Sequence, residues 1–196
     1  VCGNYQLRPG KKEKPWKWFR TDNHWPDDIF YAAKRKDLST GAVFWPVTGN
    51  HPAIDYLIDE YWPQFKDDPL PDVFRRSGSS EEVLRAIGHS YQDVHLRIHP
   101  ESSEFIIRCA VDLIDSFQPD VLFLHPADID AARHRYGVFN DRVDKAIAAT
   151  DAYIGMIMEA LDRNGLLSGT DVVLTSDHGL IDVTRIVNVN VRLTEA

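Results

Sequence analysis

The sequence is short of three things. No apolar run approaches the ~20 residues that a membrane-spanning helix needs, and the first residues do not read as a charged-then-apolar export segment, so no membrane association is expected. Positive charge is scarce: 22 lysines and arginines against 30 aspartates and glutamates leave a net charge of −8. That balance argues against a broad nucleic-acid or anionic-membrane surface, while leaving local cationic pockets open. Cysteine is nearly absent. Cys2 and Cys109 stand at a separation that suggests no disulfide framework and leaves the redox compartment undecided.

What is present is an ordinary globular composition, 43% hydrophobic and 27% charged over 196 residues, enough for one domain with a full core. The chain opens on Val1 and closes on VRLTEA just after a strand-like run, and reads as a central piece of a longer protein. The opening 25 residues are rich in Gly, Pro, Lys and Trp; KKEK at 11–14 suits a solvated loop, and Trp16, Trp18 and Trp25 suit loop or core anchors. Asp27 and Asp28 then introduce a helix over roughly 27–36.

AVFW at 42–45 is an unbroken apolar run stopped by Pro46, as expected of a strand covered on both faces. Four prolines between 52 and 71 predict irregular structure with short helical pieces, and the stretch 51–118 as a whole is less regular, a possible cap or insertion. Ser79 and Ser80 ahead of Glu81 and Glu82 predict a capped helix to about 89. His89, His95 and His99 follow at spacings that suggest surface or partly buried histidines without metal.

Pro100-Glu101 opens a helix through Phe117, VLFLH at 121–125 is a strand, and an apolar stripe of Val143, Ile147, Thr150, Ile154, Ile157 and Leu161 marks a helix over 140–163 that Asn164-Gly165 stops. VVLTS at 172–176 reads as another strand, and 185–193 as a further strand or extended segment. Helices alternating with short apolar strands predict an α/β fold with a mostly parallel sheet flanked by helices.

Two constellations follow the strand-like runs. Asp130 and His134, in DAARHRYG, stand four apart, so one helical turn can aim both at one ion; Asp177 and His178, in LTSDHGL, are adjacent and suit a loop at a strand end. Ligands gather at the carboxyl ends of strands in such sheets. Carboxylate with imidazole fits zinc, manganese or a similar divalent ion better than calcium or magnesium. Two such ions about 3.5–4 Å apart suit hydrolysis at a phosphoryl centre.

DAARHRYG, the amphipathic helix, LLSGTDVVLTSDHGLIDVTRIVNVN and the earlier VFWPV together resemble the type I phosphodiesterase/nucleotide pyrophosphatase branch of the alkaline phosphatase superfamily. The gap of 47 residues between Asp130 and Asp177 is similar to that family's spacing. The resemblance is loose over the first 50 residues, close over 119–193 and poor between. It implies an alkaline-phosphatase-like core, present in part, and a metal-dependent hydrolase of phosphodiester or pyrophosphate bonds acting on a small phosphodiester or nucleotide-like substrate. It also implies two zinc ions, Asp130 and His134 on one and Asp177 and His178 on the other.

By the same resemblance Asn4 in VCGNY binds phosphate. The nucleophile is expected before Val1, and a third histidine ligand beyond Ala196, so the isolated chain is expected to bind zinc weakly and hydrolyse little. Two positions depart from the family. Arg133 replaces a small glycine, which would crowd the site or add a phosphate-binding cation, and His125 stands near where nucleotide-hydrolysing members often carry an aromatic. A sulfatase or phosphonate hydrolase of the superfamily, or a non-catalytic binding domain on the same fold, are the alternatives.

Overall fold

Alternation of side chains about a short parallel sheet organises the chain. The computed structural model describes residues 27–63, 68–91, 94–96, 98–185 and 187. Cys2, Asn4, the KKEK stretch, the three early tryptophans and most of the expected segment 185–193 lie outside them. Strands β1 (Thr40–Val43), β2 (Tyr56–Ile58) and β3 (Val121–Leu124) lie in the order β2-β1-β3, all parallel.

Successive residues of a strand face opposite sides. Ala42, Leu57 and Phe123 therefore share one face with Phe30, while Val43, Ile58, Leu122 and Leu124 face the larger core. That core is completed by Phe74, Val83, Phe105, Ile106, Cys109, Ala110 and Leu113. Phe44, Phe74 and Phe105 meet there as one aromatic group, with Phe74 and Phe105 stacked at 5.9 Å. Gly41 admits Leu122 so closely that a Cβ would come within 2.9 Å of Leu122 Cδ1.

Helix α1 (Ile29–Lys34) is capped by Asp28, which accepts from the Phe30 and Tyr31 amides. The other Asp28 oxygen lies 2.9 Å from His51 Nε2, and His51 Nδ1 accepts from the Ala53 amide at 3.0 Å. Nε2 is thus the protonated nitrogen, and the buried ring ties α1 to the loop before β2.

Helix α2 spans Leu70–Arg76 and α3 spans Glu81–Ala86, with Ser80 Oγ accepting from the Val83 amide. The helix expected to reach 89 ends at Ala86 and gives way to a 3₁₀ turn over Gly88–Ser90. Helix α4 (Glu101–Phe117) ends on Gln118 in the left-handed region; α5 spans Asp128–Tyr136, and α6 (Asp141–Arg163) starts on the Asn140 cap. Gly165, at φ 70°, ends that unit as the sequence predicts.

Four expectations are corrected. The strand expected at 42–45 spans Thr40–Val43, because Phe44 turns into the left-handed region at φ 54°. The stretch expected to be irregular contains β2. Of the expected apolar stripe, Val143 and Leu161 are buried and Ile157 packs on the core, but Ile147 is 44% exposed, and Tyr153 and Ala160 join the covered face of α6.

The fourth concerns VVLTS, which forms no strand; Val173 is 84% exposed and Leu174 75%. An apolar run becomes a strand only where a neighbour takes its backbone groups, and among the described residues none pairs with it. His89, His95 and His99 each face a carboxylate, of Asp112, Glu101 and Asp128 respectively.

At the carboxyl edge of the sheet the loop leaving β1 holds three non-glycine residues in the left-handed region: Phe44 (φ 54°), Val47 (φ 59°) and Asn50 (φ 55°). Thr48 fastens it, its hydroxyl 2.6 Å from the Trp45 carbonyl and 3.2 Å from Asp59 Oδ1.

Candidate metal centre

Helix α5 begins four residues after β3, so its first turn stands over the carboxyl edge of the sheet. Asp128 fixes that turn. Its buried carboxylate lies 2.7 Å from His99 Nδ1 and accepts from the Tyr153 hydroxyl at 3.1 Å, joining the approach to α4, the start of α5 and the middle of α6. Burial and then Asp128 push the Tyr153 phenol up. Sequence reasoning passed over Asp128; its one signal was an acid opening a helix directly after a strand.

Two residues along, Asp130 and His134 share a helix face, with Asp130 Oδ1 3.4 Å from His134 Nε2. His178 Nε2 lies 4.0 Å from the same Asp130 oxygen and 3.5 Å from Asp177 Oδ2. The structure therefore sets the two pairs singled out by the sequence beside each other, His178 reaching toward Asp130. Asp177 and His178 arrive there on coil rather than on a strand end. A hydrogen bond from the Val138 amide to Asp182 Oδ1 (3.0 Å) holds that coil against the turn between α5 and α6.

Each acid–imidazole pair, taken alone, has the spacing of two ligands on one ion. Ligands at about 2.0–2.1 Å from a tetrahedral zinc stand about 3.3 Å from one another, close to the 3.4 and 3.5 Å of the two acid–imidazole pairs. His178 Nδ1 lies 3.1 Å from the Gly179 carbonyl, which can only accept, and Nε2 is the nitrogen that faces the carboxylates. Asp130 Oδ1 is buried and has no hydrogen-bond partner. Among the described residues, no three His, Cys, Asp or Glu side chains are gathered so as to hold one ion. Each pair supplies two donors.

His125 closes the end of β3, its amide donating to the Val43 carbonyl at 3.2 Å and its ring edge-on to Trp45 at 6.4 Å. Burial holds its imidazole below the ordinary value, against the pull of Asp177 and Asp130. On the far strand, Asp59 and Glu60 follow β2. Burial pushes Asp59 up to about 8 and Glu60 to about 7, and Asp59 Oδ2 is without a partner. The sequence signal for this pair was two acids directly after the apolar YLI.

A parallel α/β sheet with helices on its faces and acid–imidazole pairs over its carboxyl edge is consistent with an incomplete alkaline-phosphatase-like core. The type I phosphodiesterase / nucleotide pyrophosphatase family model matches residues 1–196, and the chain belongs to that family. Among its relatives, venom phosphodiesterase 2 of Crotalus adamanteus is 31% identical over 74 residues, covering 38% of this chain and 9% of the relative. Ectonucleotide pyrophosphatase/phosphodiesterase family member 3 of Bos taurus is 23% identical over 177 residues, 90% of this chain and 16% of the relative. The human family member 1 is 23% identical over 180 residues, 90% and 15% respectively. The chain thus spans well under two thirds of the length of the curated relatives it matches. No solved structure matches it.

Proposed function

We propose that the chain forms part of a metal-dependent hydrolase of phosphodiester or pyrophosphate bonds, with Asp130 and His134 holding one divalent ion and Asp177 and His178 a second. The observation that carries this reading is the meeting of the two pairs, His178 Nε2 4.0 Å from Asp130 Oδ1, in a member of this family. Carboxylate–imidazole donor sets favour zinc. When bound, such ions polarise a phosphoryl oxygen and stabilise the attacking and leaving oxygens.

The protein's own groups then have separable tasks. Asp128 orients α5 and so aims Asp130; His178 presents Nε2 on the side of the carboxylates; Asn4 donates its amide to a non-bridging oxygen of a small phosphodiester or nucleotide-like substrate. A catalytic zinc normally has three protein ligands, so the remaining ligands and the nucleophile come from outside the described residues. Residues 1–196 act in this scheme as one α/β domain unit.

The test is the full-length protein with His134→Ala and His178→Ala. We expect loss of bound zinc, by metal analysis, and a fall in turnover of bis(p-nitrophenyl) phosphate exceeding the roughly 10–100-fold that loss of an outer-shell partner costs. Metal content and turnover unchanged in both variants would refute the assignment.

A further inference from the structure

A hydroxyl carries one proton, and that of Thr48, buried in the loop leaving β1, has two claimants. Thr48 Oγ lies 2.6 Å from the Trp45 carbonyl, which can only accept, and 3.2 Å from Asp59 Oδ1 at the end of β2. With the proton on the nearer carbonyl, the Asp59 contact is a hydrogen bond only if the carboxyl supplies a proton of its own. The surroundings of Asp59 favour that form. Its side chain is fully buried, its Oδ2 meets no partner, and burial outweighs the Thr48 contacts and the Glu60 amide, which favour the charge. The Glu60 carboxyl beside it adds a second push against ionisation. His51, on the same loop, turns its ring toward Asp28, and His125 stands beyond the Trp45 ring.

The resulting chain of donors runs from Asp59 through Thr48 to the Trp45 carbonyl, and hydrogen bonds in such a chain strengthen one another. It fastens a loop that needs holding. Phe44, Val47 and Asn50 lie in the left-handed region, conformations that persist only where the surroundings impose them. Among them Trp45 packs its ring on Phe123 at 4.8 Å and edge-on to His125, the residue that follows β3 on the way into α5. The place of that ring at the carboxyl edge of the sheet depends on the loop.

We propose that Asp59 is a positioning residue: as a neutral acid it donates to Thr48 Oγ and locks the loop leaving β1, and Trp45 with it, against the carboxyl edge of the sheet. Ionised Asp59 has no proton to give and draws the Thr48 hydroxyl to itself, so the Trp45 carbonyl loses its donor and the lock opens. The bearing of the lock on turnover rests on the hydrolase reading above; the lock itself does not. Asp59→Asn keeps a donor at every pH, whereas Thr48→Val keeps the shape of the side chain and removes the link.

The experiment follows Trp45 by fluorine NMR in the full-length protein labelled with 5-fluorotryptophan, its signal assigned by its loss in Trp45→Phe. In wild type the signal should shift between about pH 6 and about pH 9 with a midpoint near 8. In Asp59→Asn it should stay in place, and in Thr48→Val it should already lie toward its high-pH position at the low-pH end. Glu60→Gln should keep the titration and lower its midpoint, because one opposing charge is gone. A signal that does not move in wild type, or that titrates alike in Asp59→Asn as titration of His125 would make it do, overturns the lock. For turnover of bis(p-nitrophenyl) phosphate, wild type and Asp59→Asn should agree at the low-pH end. The wild-type KM should then rise about threefold or more above the variant's at the high-pH end, with kcat within about twofold. Equal KM profiles beside a titrating Trp45 overturn the positioning role. A Trp45 signal that titrates as described in a protein that cleaves no phosphodiester removes the hydrolase reading and keeps the lock.

Discussion

Asp130 and His134 stand on a helix whose first turn is held by a buried carboxylate between a histidine and a tyrosine, and which packs on α6, itself packed on α4. Asp177 and His178 carry the same two functional groups on exposed coil, attached near the site, among the described residues, by one hydrogen bond from the Val138 amide to Asp182. The chemistry of the pairs is alike; their support is not. A binding group on packed secondary structure is held by many weak contacts that must fail together, whereas one on a tethered coil depends on a single attachment.

The largest expected effect tests the packed side. Phe105→Ala removes a fully buried ring that touches both Phe44 and Phe74, and should cost about 3–5 kcal/mol in urea unfolding of the 196-residue chain. A smaller loss would mean that this half is less well packed than its burial indicates.

Next comes Asp59→Asn, which adds a pH axis to the same half. Burial raises the Asp59 carboxyl from 3.8 to about 8, so the folded chain keeps a proton that the unfolded chain releases above pH 4. Stability therefore falls as pH rises from about 4 toward 8, and the asparagine variant should flatten that fall. The expected gain is on the order of a few kcal/mol at pH 8 and nothing at pH 4, read from denaturation midpoints at the two pH values. A wild-type profile flat across this window would contradict the buried carboxyl.

Asp128→Ala should cost about 1–3 kcal/mol, because it leaves His99 and Tyr153 without their shared acceptor. It would sharpen the comparison further by loosening zinc at Asp130 and His134, measured by metal titration of the full-length protein, with the Asp177 side much less affected. The smallest effect belongs to the coil: Val173→Ser, at an 84% exposed position, should change the stability of the 196-residue chain by no more than about 0.5 kcal/mol. A loss above 1 kcal/mol would show that the coil is packed after all.

The parts of the fold legible in the sequence were those whose signals are local. Ser80 caps α3 as its side chain suggests, Gly165 stops α6, and VLFL forms a strand paired with β1. VVLTS has the same local signal as VLFL and no strand, because pairing is a property of the neighbour and not of the run itself. β2 was hidden for the opposite reason: three residues among turn signals become a strand only through their register with Gly41–Val43.

The site followed the same division. Asp130 with His134, and Asp177 with His178, were visible as short spacings, but their convergence needs the turn after α5 and the Asp182 attachment, which are tertiary. Asp128, with partners 29 and 25 residues away at His99 and Tyr153, carried no spacing that would reveal it. Asn4 lies outside the described residues and remains an assignment by resemblance.

The loop leaving β1 has a consequence for how any ligand meets this edge of the sheet. Val47 is β-branched and sits at φ 59°, a conformation that costs an L-residue roughly 1–2 kcal/mol and that the Thr48 fastenings to Trp45 and Asp59 hold in place. A rim kept in shape against its own backbone preference behaves as a mould: it selects among shapes presented to it and does not remodel itself to follow them.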